Sequence, residues 1–502
     1  MRNNPIKKIV IAGGGTAGWM TAAALGKLLG SNLDITLIES EEIGTVGVGE
    51  ATIPTLHLFH DLLKINEAEF MAATNATFKL GIAFEKWKNT QDDYIHSFGH
   101  LGPGCWAAGF QHFWLKGQEK GFASDIGDYC AEHIACRKGK FAVEPKTDRN
   151  HAYHIDAGLY AKLLRSVAEK AGVTRIEGKI NKVTVHPENG FISAVTLENG
   201  SNLRGDLFVD CTGFKGLLID GALHTGFEDW RHWLPCDRAV TVQTEHHNAP
   251  LPYTRSMAHQ CGWQWQIPLQ NRVGNGLVYC SRYLSDEQAT QQLMAQISGK
   301  PVNSPRIISF RTGTRRQHWN KNCVAIGLSS GFVEPLESTS IHLIQQSIIR
   351  LMQYLPSVAM EHANLNQFNA KMRQEMENVR DFIVMHYHLN ARNDSDFWRH
   401  CARMQVPASL KERLDLFASQ GHAHQLDGEL FGETSWIQVM LGQGITPAHY
   451  HPIVDMMSDQ ELHHYLARIK SAAEQRIHKM PYHLDFIARY CPAPPKPRPF
   501  SG

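Results

Sequence analysis

The chemistry in this chain starts with three glycines. Gly13, Gly15 and Gly18 form G-x-G-x-x-G between the apolar run "KKIVIAGGG" (Lys7–Gly15) and the alanine-rich "TAGWMTAAALGKLLG". That spacing suits a dinucleotide. The first glycine permits a tight turn, the second lets backbone approach a pyrophosphate, and the third lets helix pack on strand. The helix start adds free N–H groups and a positive dipole end. Glu39 closes a second apolar strand, "LDITLIES" (Leu33–Ser40), 21 residues after Gly18. There a carboxylate can hold a ribose hydroxyl pair. The expected cofactor cradle is therefore Gly13, Gly14, Gly15, Thr16, Ala17 and Gly18, with Glu39 and Ser40. A second stretch, "GWQWQIPL" (Gly262–Leu269), puts Trp263 and Trp265 two apart. In a strand they share one face, and two large rings side by side suggest a wall.

These residues need a sizeable scaffold. With 502 residues the chain is expected to build two or three layered units rather than one core. A net charge of +1 gives no field to recruit nucleic acid or an anionic membrane, so neither is expected as a partner. No apolar run reaches membrane-spanning length. The opening "MRNNPIKKIVIAGGG" runs directly into the first strand, so no signal peptide is expected, and ten scattered cysteines without C-x-x-C fit reduced thiols in the cytoplasm. The 28 histidines include the pairs His422/His424 and His463/His464 but no H-E-x-x-H, and no metal site is expected.

The pattern along the chain predicts an α/β protein. A βαβ unit starts it, and "RGDLFVDCTG" (Arg204–Gly213) and "NCVAIGLSSGF" read as later strands of the same sheet. Residues at about 235–310 are strand-rich and predict a β-sheet layer inserted between those passes. After Ser340 the apolar spacing turns helical, as in "IHLIQQSIIRLMQYL" and "QELHHYLARIKSAAEQRI". The expected organisation is a nucleotide-binding domain over 1–340 carrying the inserted layer, a helical substrate-side domain over 341–490, and a proline-rich tail over 491–502.

The double pass resembles FAD-binding proteins of the glutathione-reductase and monooxygenase type, which implies a Rossmann domain for FAD. Those enzymes carry a late G-D-A motif, and here Leu328 stands where its aspartate would be. That departure, with "GVGEATIPT" (Gly47–Thr55), "FKLG" (Phe78–Gly81), "GWQWQIPL" and "GFVEPLESTSIHL" (Gly331–Leu343), resembles the flavin-dependent halogenases of the tryptophan-halogenase type. The resemblance implies an enzyme that uses FADH2 and O2 to make hypohalous acid from bromide or chloride. It implies that Lys79 receives that acid, and that Glu337 orients it and takes the proton lost from the arene. Burial between Phe78 and Leu80 would lower the Lys79 pKa and expose its lone pair. By the same resemblance Thr339 and Ser340 bind halide at a helix start, where many members have glycine for Ser340. Leu328 and Ile341 line the flavin, and Glu50 and Ala51 lie in a strap joining flavin to substrate. Trp263 and Trp265 hold substrate away from flavin, and His100 lies along an aromatic substrate.

No clustered aromatic lid is legible, "MHYHLN" (Met385–Asn390) and "PAHYHP" (Pro447–Pro452) being the nearest segments, so an indole-type arene is expected rather than free tryptophan. A single dinucleotide motif leaves no place for NADH, which implies a separate NADH-dependent flavin reductase. A homodimer is expected by the size of the helical flank. Two other readings remain open: a flavin monooxygenase that hydroxylates an aromatic, and a non-catalytic flavin-binding redox protein.

Overall fold

In the computed structural model, the described residues are 6–43, 49–143, 149–356 and 361–494. Gly47 and Val48 of the expected strap, and residues 495–502 of the expected tail, lie outside them.

The first strand, Lys8–Ala12, is central because its apolar residues are buried on both faces. It pairs in parallel with Asp34–Glu39 on one side and Leu207–Asp210 on the other. Cys323–Ala325 extends this sheet beyond Leu207–Asp210, and Thr174–Glu177 lies beside Asp34–Glu39. Four parallel neighbours with a helix from Thr16 to Leu29 over one face form the Rossmann-type unit read from the sequence. Gly30 ends that helix at φ 57°, a left-handed value that glycine adopts without Cβ strain.

The second layer is a seven-stranded sheet in the order 306–309, 238–244, 273–279, 262–268, 254–259, 81–85, 93–97. Five strands come from the strand-rich region. The other two, Gly81–Glu85 and Asp93–Ser97, come from much earlier in the chain and join through a parallel pairing of Thr254–Met257 with Ile82–Glu85. That junction couples the insert to the segment carrying Lys79. A helix, Asp286–Gln296, also interrupts the strand-rich region. It is started by a reciprocal capping box between Ser285 and Gln288 that breaks the strand pattern.

The last third is helical, as its periodicity predicts: Ser340–Gln353, His362–His388, Ala408–Gln420, Glu433–Gly442 and Asp459–His478 are the long elements. The His362–His388 helix buries Phe382, Ile383, His386 and Tyr387 against the second layer. No helix among the described residues is long and apolar enough to cross a membrane.

Candidate active site

The glycine turn is built for a close visitor. A Cβ on Gly13 would lie 2.3 Å from the Cys211 carbonyl, and one on Gly18 would lie 1.8 Å from the Gly13 carbonyl. One on Gly14 would lie 1.8 Å from Glu39 Oε2, so these three glycines are demanded by packing alone. Gly15 differs: nothing lies within 4 Å of a Cβ there, and as N-cap it offers no side-chain bond to the helix. The first-turn N–H groups beside Thr16 and Ala17 thus face open space, which fits the phosphates of a dinucleotide. Glu39 ends its strand there and accepts bonds from Trp19 Nε1 at 3.1 Å and Arg175 Nε at 2.5 Å; Ser40 follows it. The late turn Gly327–Ser329, which holds Leu328, meets this cradle, since a Cβ on Gly327 would come within 2.8 Å of Ala17 Cβ.

A short three-stranded sheet lies next to the cradle. Ala152–Ile155 is its middle strand, between Glu50–Ala51 and Thr77–Lys79. All of Thr77–Lys79 is buried, because Phe78 stacks on Phe141 at 4.0 Å on one face while Lys79 enters the protein on the other. Lys79 Nζ donates to the Thr52 carbonyl at 3.0 Å and to Ser338 Oγ at 2.8 Å, and lies 5.0 Å from the Phe98 ring centroid. Burial pulls its pKa down to about 7, and the nearby Glu337 carboxylate only partly opposes that shift. Glu50 is pushed up to about 7 by burial, and Ala51 packs on the core that contains both wall tryptophans.

Glu337 ends a 3-10 turn, Pro335–Glu337, and is buried. His96 Nδ1 donates to its Oε2 at 2.9 Å, and His386 Nε2 lies 2.7 Å from Oε1. Burial raises a carboxyl pKa, but these two imidazoles outweigh it and hold Glu337 at about 2. Burial lowers the pKa of His386, whose Nδ1 lies 2.8 Å from the Tyr94 hydroxyl while its Nε2 faces the carboxylate as an ion-pair contact. Ser338 follows at φ 59°, ψ 36°, a left-handed conformation uncommon outside glycine. That turn aims its hydroxyl at Lys79 and starts the Ser340–Gln353 helix. Thr339 caps this helix without a side-chain bond, and its buried Oγ1 has no partner. Ile341, in the first turn, is buried.

Trp263 and Trp265 are buried on the strand Gly262–Pro268 with ring centroids 6.0 Å apart. Gly276 on the neighbouring strand is obligatory, since a Cβ there would lie 2.1 Å from the Trp265 ring. Trp263 Nε1 donates to Glu334 Oε2 at 2.9 Å.

His100 is exposed on the loop after Asp93–Ser97. In this stretch the imidazole that meets Glu337 is His96, four residues earlier, and Phe98 is the ring beside Lys79. The alternation in "DYIHSFG" could have found them, because it puts Tyr94, His96 and Phe98 on one face. The helical part also supplies rings. Phe382 stacks on Phe431 at 3.7 Å, meets Trp436 at 4.8 Å, and lies 5.6 Å from His96. "MHYHLN" contributes His386 and Tyr387, whereas His451 of "PAHYHP" packs elsewhere, against His112. Three residues unrelated by any sequence spacing, His57, Glu67 and His151, bring ligand-type atoms within 4.8 Å of one another. They are bound into a partly buried network with Tyr153 and the exposed Tyr490.

Against known proteins, the tryptophan halogenase family model matches residues 8–459. The chain is 53% identical to Xcc4156, a flavin-dependent halogenase from Xanthomonas campestris, whose solved structure superposes with a TM-score of 0.97 over 98% of this chain and 100% of that one. It is 45% identical to BrvH, a flavin-dependent halogenase from Brevundimonas sp. BAL3, with a TM-score of 0.93 over 97% and 99% of the two chains. It is also 34% identical to tryptophan 6-halogenase SttH of Streptomyces toxytricini, over 96% of this chain and 98% of that protein. Nearly the whole chain is thus accounted for by one enzyme family, and the protein belongs to the tryptophan halogenases, which are flavin-dependent.

Proposed function

We propose that the protein is an FADH2- and O2-dependent halogenase that passes halogen from bromide or chloride through Lys79 to an electron-rich, indole-type arene. The observation that carries this reading is the buried pair: an amine with its pKa near 7 beside a carboxylate held near 2. Bound reduced flavin and O2 would supply the oxidation of halide to hypohalous acid. The open Gly15 turn would hold the flavin's phosphates, Glu39 and Ser40 its ribose, and Leu328, Ile341, Glu50 and Ala51 its surroundings. The uncapped helix start at Thr339 and Ser340 would hold the halide, where free N–H groups and a bare hydroxyl favour an anion.

At a pKa near 7, about half of the Lys79 amine is neutral at neutral pH, against about one in three thousand for an ordinary lysine. Its lone pair can bind hypohalous acid or form N–X with loss of water. The arene carbon then takes the halogen as the N–X or HO–X bond breaks; the ring proton leaves to Glu337, and the proton it releases is returned to the leaving nitrogen or hydroxide, which restores the amine or gives water. A carboxylate with a low pKa is a weak base, but an arenium proton is strongly acidic, so Glu337 can still take it. Trp263 and Trp265 would keep the arene from the flavin. The rings of Phe98, Phe382, Phe431 and Trp436 would bind it by contact. Arg413, packed 4.0 Å over the Trp436 ring, is already bound to Glu429, which leaves it poorly placed to grip an amino-acid carboxylate and favours indole over free tryptophan. A separate NADH-dependent reductase in the same cytoplasm would supply FADH2.

The test supplies FAD, a flavin reductase with NADH, indole, and bromide or chloride, and follows the halogen isotope pattern by mass spectrometry. Haloindole that is lost in Lys79→Ala supports the reading. Oxygenated product formed without halide would replace it with a hydroxylase.

A further inference from the structure

We infer that Glu334 is a positioning residue: it fastens the Trp263 wall to the segment carrying Glu337, and so keeps substrate and flavin apart during turnover. The inference rests on the halogenase reading. Glu334 is fully buried and precedes the 3-10 turn Pro335–Glu337 as its N-cap. One of its oxygens, Oε2, accepts both the Trp263 indole N–H at 2.9 Å and the Tyr387 hydroxyl at 2.5 Å. The other, Oε1, is buried with no partner. A half-bare buried carboxyl is costly, and a position needed only to fill space is better served by an apolar side chain.

Its place in the chain shows what that cost secures. Glu334 and Glu337 are three apart, and successive residues of one helix hold them: His386 contacts Glu337 and Tyr387 binds Glu334. Ser338, which accepts from Lys79, and Thr339 follow directly. The Trp263–Glu334 bond is thus a direct tie between the tryptophan strand and this short segment. Trp263 in turn packs 6.0 Å from Trp265 and 6.3 Å from Trp87, so a shift of its indole would move the wall as a unit.

The experiment compares Glu334→Leu, Glu334→Gln, Trp263→Phe and the double variant Trp263→Phe/Glu334→Leu. It measures haloindole formed per O2 consumed, with oxygenated indole and KM for indole in parallel. Trp263→Phe keeps a ring but removes the N–H. The expected result is a coupling ratio that falls roughly ten- to a hundredfold in Glu334→Leu and Trp263→Phe, as for an ångström-scale misplacement. The double variant should be no worse than the worse single one, and Glu334→Gln, whose amide oxygen still accepts from Trp263, should recover most of the loss. A general packing defect would lower turnover and leave the ratio unchanged, and that result overturns the inference. So do additive effects, or full coupling in Trp263→Phe, which decides the matter even if Glu334→Leu does not fold. If the unmodified protein makes no haloindole, the indole-type substrate reading falls. The Trp263–Glu334 tie is then read separately from a double-mutant cycle in urea: non-additivity supports it, additivity removes it.

Discussion

Lys79→Met is expected to make the protein more stable and catalytically dead, with a gain that depends on pH in a defined way. Unfolded, the lysine titrates at 10.5; folded, burial brings it to about 7. Keeping it inside therefore costs about 5 kcal/mol at or below pH 7, from 3.5 pKa units at 1.36 kcal/mol each. Methionine fills a similar volume without a charge, but loses the bonds to the Thr52 carbonyl and Ser338 Oγ. At about 1–1.5 kcal/mol each, those losses reduce the net gain to roughly 2 kcal/mol. Between pH 7 and 10.5 the unfolded lysine binds a proton that the folded one does not, so native stability rises with pH across that window. The advantage of methionine should shrink over it by up to about 1.4 kcal/mol per pH unit. Urea unfolding of both proteins at pH 6, 7.5 and 9, with haloindole formation assayed alongside, reads every term. A methionine variant that is less stable at pH 6, or whose advantage is the same at pH 6 and 9, would refute a desolvated lysine.

Halogen transfer in the unmodified protein should show an acid limb near pH 7, falling about tenfold per unit below it, while flavin reoxidation stays flat; a limb near pH 10 would mean an ordinary lysine. Glu337→Gln should lower the rate yet move that limb to lower pH, because the lost carboxylate is what favours the charged amine; single-turnover rates across pH 5–9 check both. Gly15→Ala should fold normally and bind FAD weakly, whereas Gly18→Ala should lose stability itself, its Cβ falling 1.8 Å from the Gly13 carbonyl; thermal melts with flavin titration separate the two. Phe382→Ala, which empties a fully buried site, should cost about 3–5 kcal/mol in urea unfolding and raise KM for indole.

The parts legible in the sequence are local. The cradle could be read because a strand, a glycine turn and a helix start are contiguous: Gly18 answers a contact with Gly13 and Gly14 one with Glu39 on the next strand, whereas Gly15 is left open and Gly13 meets Cys211 from far along the chain. The helical last third could be read because periodicity needs no knowledge of what lies opposite. Lys79 and Glu337 stood out through motif resemblance, and the structure gives the pair a physical basis that spacing could not: 258 positions apart, they meet because strand Gly81–Glu85 joins a sheet built mostly from residues after 238. The same junction explains why His96 was not legible in the sequence as the partner of Glu337. It lies in one short stretch with His100, and only the pairing of Gly81–Ser97 through Glu85–Asp93 fixes which side chains turn toward Glu337.

Glu334 was hidden for a different reason. In "VEPLE" two acids three apart before a helix suggest solvated first-turn carboxylates stabilised by the dipole. The fold reverses that: both are buried, and their titrations are driven apart, Glu334 up to about 7 and Glu337 down to about 2. The two share a turn, a helix partner and a depth, so burial does not separate them. The partners do, since neutral hydroxyl and indole donors offset desolvation less than two imidazoles. Two glutamates on one short turn can therefore divide the labour, Glu337 staying ionised beside the reacting atoms and Glu334 holding the wall in place.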